Sequence, residues 1–230
     1  MAGSMTEIPV DGGSVPAYLS LPPSGSGPGV VVIQEWWGLV PHIRNVADRL
    51  AAQGFVAVAP DLYHGKETSE PDEAGKLAMQ LRLDEAAREM GACVDALLAM
   101  PETTGDGVGV VGFCVGGGLA LYLATLKPEV AAAVSFYGFP REGLEWDLSA
   151  VKGAVLGHFA EHDDWANREL AGGMERELRD AGVDVTFHHY PGTQHAFFND
   201  DRPEVHHPEA ADLAWQRTVD FLRGRLGGAR

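Results

Sequence analysis

The chain reads as an α/β protein with a mostly parallel central sheet and helices on both faces, and three observations carry that expectation. Apolar, β-branched runs alternate with helical stretches along most of the sequence, the pattern left by successive strand–helix–strand units. The 230 residues, 45% of them hydrophobic, suffice to bury both sides of one such sheet in an undivided domain. Finally, Gly112-Phe113-Cys114-Val115-Gly116 places a cysteine at a glycine-flanked corner between an apolar strand and a small-residue helix.

Residues 6–10 and 15–20 read as an opening hairpin. Gly29 to Gln34 forms a β-branched strand, and a helix opens at Pro41, where a missing amide hydrogen is harmless and φ is already helical. Phe55 to Pro60 is the next strand. Asp61 to Glu70 is polar and broken by Gly65, so it reads as a loop before one long helix from about Pro71 to Met100. Val108 to Gly112 leads into the glycine corner. Strands follow near Val130–Phe136, Ala154–Phe159 and Val185–Tyr190, with a helix at about Asn167–Ala181 between the last two. The final helix enters at Pro208 and carries Leu213, Val219 and Leu222 on one stripe. The longest irregular stretches after the corner, 137–150 and 191–207, are the kind of loop that lines sites. Met1-Ala2-Gly3-Ser4, ahead of a second methionine at Met5, reads as a remnant of expression, which leaves one domain over 5–230.

Composition narrows the function. A formal charge of −16 opposes nucleic acid, whose phosphates need neutralising by lysine and arginine. No apolar run approaches the roughly 18 residues of a membrane span, and no basic-then-apolar leader is visible, so a cytoplasmic protein without a membrane partner is expected. Only Cys93 and Cys114 are present. Cys93 falls within a helix and lacks a Cys-x-x-Cys partner, so neither a disulfide framework nor a thiolate metal site is signalled. His188-His189 and His206-His207 are adjacent pairs; neighbours in a strand point to opposite faces and do not share one ion. No metal and no cofactor is expected.

Cys114 sits in the Gly-x-Cys-x-Gly spacing of a nucleophile elbow, where a strained turn lifts the central side chain clear of the sheet. It also lies at a helix start, where free backbone N–H groups and the helix dipole favour a thiolate. The alternative is a packing cysteine beside glycines that permit close helix–sheet approach. A cysteine nucleophile needs a base, and the base an orienting group. His195 and Asp163 are the candidates, each in a loop beyond the carboxyl end of a strand, where open α/β sheets carry ligands. Asp164 competes with Asp163, and either aspartate also suits a helix cap. The chain order nucleophile, acid, histidine is that of α/β-hydrolases.

With these parts in place the chain resembles the dienelactone hydrolase family of α/β-hydrolases. The resemblance rests on Gln34-Glu35-Trp36-Trp37-Gly38, Pro60-Asp61-Leu62-Tyr63, Gly112-Phe113-Cys114-Val115-Gly116-Gly117, His162-Asp163 and Gly192-Thr193-Gln194-His195-Ala196-Phe197, which span nearly the whole chain. It implies a Cys114–His195–Asp163 triad that cleaves a small ester or lactone through a thioester, and it ranks Asp163 above Asp164. It also implies that Glu35 holds the resting thiol neutral and takes its proton when substrate enters, and that the backbone N–H groups of Val115 and Trp36 form the oxyanion hole. Family members acting on dienelactone carry two arginines for the substrate carboxylate, one before the long helix and one four residues after the histidine. Here residues 64–75 hold no arginine and the second position is Asn199. Arg202 and Lys66 are left to compensate, or the substrate lacks a carboxylate; the direction taken by Arg44, Arg82, Arg141 and Arg202 decides this. Trp37, Tyr137, Phe197, Asn199 and Arg202 are the candidate substrate-binding residues. The expected partner is a small-molecule ester or lactone, and the expected state a monomer or weak oligomer. Two other readings remain: a broad carboxylesterase or thioesterase, and a non-hydrolytic ligand-binding or redox-sensing protein using Cys114.

Overall fold

Val30 and Val32 face one side of the sheet while Val31 and Ile33 face the other, and Val110 and Val111 divide likewise. That two-residue alternation, apolar on both sides, demands cover on both faces. The computed structural model, which describes residues 2–140 and 146–227, provides it. The strands are β1 (Ser4–Val10), β2 (Gly13–Ser20), β3 (Gly27–Ile33), β4 (Val56–Pro60), β5 (Thr103–Phe113), β6 (Val130–Phe136), β7 (Ala154–His162) and β8 (Val185–Gln194). They form one sheet in the order β1-β2-β4-β3-β5-β6-β7-β8. Pairing is antiparallel for β1–β2 and β2–β4 and parallel everywhere else.

The helices are α1 (Pro41–Ala52), α2 (Pro71–Gln80), α3 (Leu83–Ala99), α4 (Val115–Leu126), α5 (Arg168–Asp180) and α6 (Pro208–Leu226). Met90, Val94 and Leu97 of α3 pack one face together with Leu119 and Leu123 of α4 and Leu178 of α5. Ile43, Val46 and Leu50 of α1 cover the other face with Ala214, Val219 and Leu222 of α6. Burying a side chain of this kind contributes about 1.5–3 kcal/mol. Cys93 is fully buried in the first of these layers, where burial pushes its thiol up to about 12. No helix among the described residues is long and apolar enough to cross a membrane.

Chain order reverses between β3 and β5, since β4 lies on one side of β3 and β5 on the other. Such a switch point opens a crevice at the carboxyl ends of the strands. Glu35 follows β3 and Cys114 follows β5, so both are delivered to that crevice.

Four expectations are corrected. The single helix over 71–100 is two, because Leu81 and Arg82 are extended (ψ 120° and 110°); an apolar stripe runs through the break, and extended backbone turns Leu81 and Leu83 to the same side. The acidic pair Asp84-Glu85 then starts α3, where the helix dipole favours it. β5 begins at Thr103 rather than Val108, because Thr103 and Thr104 pair with Gly27 and Pro28 before a register shift. Leu213 is 47% exposed and does not join Val219 and Leu222 in the core. The fold also starts earlier than residue 5, since β1 begins at Ser4 and the Gly3 amide donates to Asp48 Oδ1 at 2.9 Å.

Candidate active site

Cys114 has φ +53° and ψ −120°, a conformation costly for a residue with a β-carbon. Its neighbours make it sustainable. A Cβ on Gly112 would lie 1.9 Å from the Gly116 carbonyl oxygen, and one on Gly116 would lie 2.3 Å from the Gln34 carbonyl oxygen. Strand, corner and helix therefore approach to backbone contact, which only glycine allows. The turn leaves Cys114 half-buried at the start of α4, in a cleft that Glu35, Trp36, Val115, Tyr137 and His195 also line.

The acid and the histidine arrive together because β7 and β8 run past the sheet proper. After an irregularity beyond Ala160, His162 lies opposite Gln194, which sets the next residues, Asp163 and His195, side by side. His195 Nδ1 lies 2.7 Å from Asp163 Oδ2, and His195 Nε2 lies 3.3 Å from Cys114 Sγ. Asp163 Oδ1 accepts from the backbone N–H groups of Trp165 and Ala166 at 2.9 and 2.8 Å. One oxygen thus holds the following turn, ahead of any helix, while the other faces the imidazole. Helix α5 itself is capped by Asn167. Asp164 lines the cleft without joining this chain of bonds.

Burial pushes the His195 imidazole down, but the bonds to Asp163 and Cys114 outweigh it and raise it to about 10. Burial would raise Asp163; its bonds to His195 and to two backbone N–H groups instead hold it below the ordinary carboxylate value. The pair is accordingly organised to stabilise the charge that the imidazole acquires when Nε2 takes a proton.

Glu35 is almost fully buried, with Oε1 accepting from the Tyr137 hydroxyl at 3.1 Å and Oε2 from Asn199 Nδ2 at 2.8 Å. Tyr137 is held in the left-handed region (φ +40°), its ring lies edge-on to His195 at 5.0 Å, and burial followed by the Glu35 charge pushes its hydroxyl well above 10. The structure brings Glu35 into the same cleft as Cys114 while committing both its oxygens to other partners. The Val115 amide opens α4, where no carbonyl of its own helix is available to it. Trp36 sits in the turn after β3, across the same cleft.

The substrate-binding expectations separate into two groups. Trp37, Tyr137 and Arg202 line the cleft. Phe197 does not: the chain turns inward at Ala196 (φ +63°), and the Phe197 ring is fully buried against Tyr137 and Tyr190. Asn199 is also displaced from that role, because it is 2% exposed and its amide is spent on Glu35. Arg202 pairs with Glu204 at 2.6 Å and lies over the Trp37 ring at 5.2 Å. Arg44 pairs with Glu67 and Arg82 with Asp84, and Arg141 lies outside the described residues. Sequence reasoning missed the apolar wall contributed by Met79, Leu81, Leu83, Leu170 and Met174, for which the only signal was apolar residues at positions a helix would expose.

Comparison with known proteins identifies the family. Residues 15–226 match the model of the dienelactone hydrolase family. Protein usf of Aquifex pyrophilus is 39% identical over 97% of this chain and 99% of its own length. A protein of Aquifex aeolicus named "Putative carboxymethylenebutenolidase" is 36% identical over the same shares of the two chains. The crystal structure titled "Putative Dienelactone Hydrolase" from Klebsiella pneumoniae superposes with a TM-score of 0.86 at 28% identity, covering 96% of this chain and 97% of that one. An α/β-hydrolase sheet with this sequence kinship places the chain in one family: it is a hydrolase and belongs to the dienelactone hydrolase family.

Proposed function

We propose that this hydrolase cleaves carboxylic esters or lactones with Cys114 as nucleophile, His195 as proton carrier and Asp163 as its orienting group. The observation that carries the reading is the continuous bonded line Asp163 Oδ2, His195 Nδ1, His195 Nε2, Cys114 Sγ, at 2.7 and 3.3 Å. The elevated basicity of His195 favours transfer of the thiol proton to Nε2. The sulfur then attacks the carbonyl carbon, and the backbone N–H groups of Val115 and Trp36 receive the developing oxyanion. Collapse of the tetrahedral adduct breaks the bond to the alcohol oxygen, which takes the proton from Nε2 and leaves a thioester on Cys114. Water, deprotonated by the same nitrogen, attacks that thioester. The C–S bond breaks, the acid departs and the proton returns to sulfur.

Glu35 supplies the control step in this reading: its charge holds the resting thiol neutral, and when substrate enters it takes the thiol proton and passes it to His195 Nε2. Its support is its place in the cleft, fixed from two sides by Tyr137 and Asn199. A carboxylate so placed opposes a permanent thiolate by like-charge repulsion.

The test uses Cys114→Ala and His195→Ala assayed on aryl esters and unsaturated lactones, with mass spectrometry of the wild type quenched during turnover. The expected results are loss of activity in both variants and an acyl mass increment on the Cys114 peptide. Wild-type rates in either variant, or an acyl group on another residue, overturn the assignment.

A second reading, a carboxylesterase without preference for an anionic lactone, is favoured by Asn199, which stands where the resemblance calls for an arginine and is bonded to Glu35.

A further inference from the structure

The cleft at Cys114 encloses about 1060 Å³, the upper end of the range of small-ligand pockets and far more than a single lactone ring fills. Its far wall is apolar. Leu81 and Leu83 from the break between α2 and α3 meet Leu119 of α4 and Met174 of α5. At the mouth stand Met79 (76% exposed), Trp165 (75%) and Leu170 (52%). Seven large apolar side chains are exposed among the described residues, and three of them surround this one opening. Scattered exposed apolar residues carry no meaning, but a cluster continuous with a reactive cleft marks a surface meant to be covered.

Charge points the same way. Arg176 and Arg202 are the arginines in the lining among the described residues, and Arg202 is already paired with Glu204. Against them stand Glu35, Asp164, Glu169 and Glu177. An excess of carboxylates around an apolar trough repels an anionic substrate.

We propose that the substrate is a neutral ester bearing an extended apolar arm, with the arm lying along Leu81, Leu83 and Leu119 toward Trp165 and Leu170. The proposal rests on the esterase reading above and specifies the substrate class within it. The occupant is an arm of the molecule attacked by Cys114, because the trough and the nucleophile share one continuous cavity.

The experiment measures kcat/KM for an acyl series, p-nitrophenyl acetate to decanoate, for an alcohol series, ethyl to decyl acetate, and for an anionic dienelactone. Each methylene that reaches the trough should raise kcat/KM about two- to fourfold in one of the series, levelling off once the arm emerges past Trp165. The anionic lactone should fall below the best neutral ester. In Trp165→Ser/Leu170→Ser, whose exposed positions tolerate polar residues, the octanoate-to-acetate ratio (or octyl-to-ethyl) should drop about tenfold; Met79→Ser should lower it in the same direction. A flat response in both series, a preference for the dienelactone, or an unchanged ratio in the variants overturns the proposal. So does a dimer that the double variant splits, in sedimentation, without altering the ratio, since the patch would then be an interface between two copies. Failure to turn over any ester, acetate included, instead refutes the esterase reading.

Discussion

Asp163→Asn separates orientation from mere presence of a side chain. In the native site Oδ1 accepts two backbone N–H bonds and Oδ2 faces His195 Nδ1 at 2.7 Å. An asparagine that keeps its oxygen on the two amides must turn its NH2 toward Nδ1. The imidazole then accepts at Nδ1 and carries its hydrogen on Nε2, aimed at Cys114, so it is unable to take the thiol proton. A wrong tautomer of this kind lowers kcat by about 10³–10⁴. Stability falls less: two charge-assisted bonds become neutral ones at about 1 kcal/mol each, or about 4–8 °C in Tm for a chain of this length. Because the native carboxylate sits below its ordinary value of 3.8, its contribution is present above that pH and is lost as pH falls through the depressed value. The Tm gap between wild type and Asp163→Asn should therefore be full at pH 7 and close in acid. Steady-state ester hydrolysis and thermal melts from pH 3 to 7 check both parts. A variant with kcat within about threefold of wild type, or a gap that widens in acid, would falsify the orientation argument.

Two further outcomes are expected. Native protein treated with iodoacetamide at pH 8 should alkylate at Cys114 alone, since Cys93 is buried and its thiol stands at about 12, a thiolate fraction of about 10⁻⁴ at that pH; rapid native labelling of Cys93 contradicts the packing. His195, raised from 6.5 to about 10, contributes stability fully below pH 6.5 and loses it as pH rises through about 10, so the Tm difference between wild type and His195→Gln should shrink from pH 6 to 10; a constant difference rejects the raised basicity of His195.

Alternating apolar runs are a local signal, and they sufficed for the parallel sheet, the glycine corner and the helix entered at Pro41. The break between α2 and α3 is invisible to periodicity, because the apolar stripe continues through Leu81 and Leu83 across a two-residue kink. His195 and Asp163 were found from their places after strands. What brings them into contact is the register of His162 opposite Gln194, a pairing between distant segments that neither segment announces. Loop position points Phe197 and Asn199 toward substrate for the same reason, while the left-handed turn at Ala196 and the packing of Phe197 against Tyr137 involve residues far apart in the chain.

The bond from Asn199 to Glu35 closes a loop of 164 residues. Glu35 emerges early in synthesis, yet the amide that steadies it, and the imidazole beside it, emerge only in the last sixth of the chain. Partial folding of the amino-terminal strands therefore leaves a buried acid without one of its donors, and the site is complete only once the segment that carries both the amide and the imidazole has joined the sheet. Such distant closure is slow, and the appearance of turnover would time the completion of the native state rather than any intermediate collapse.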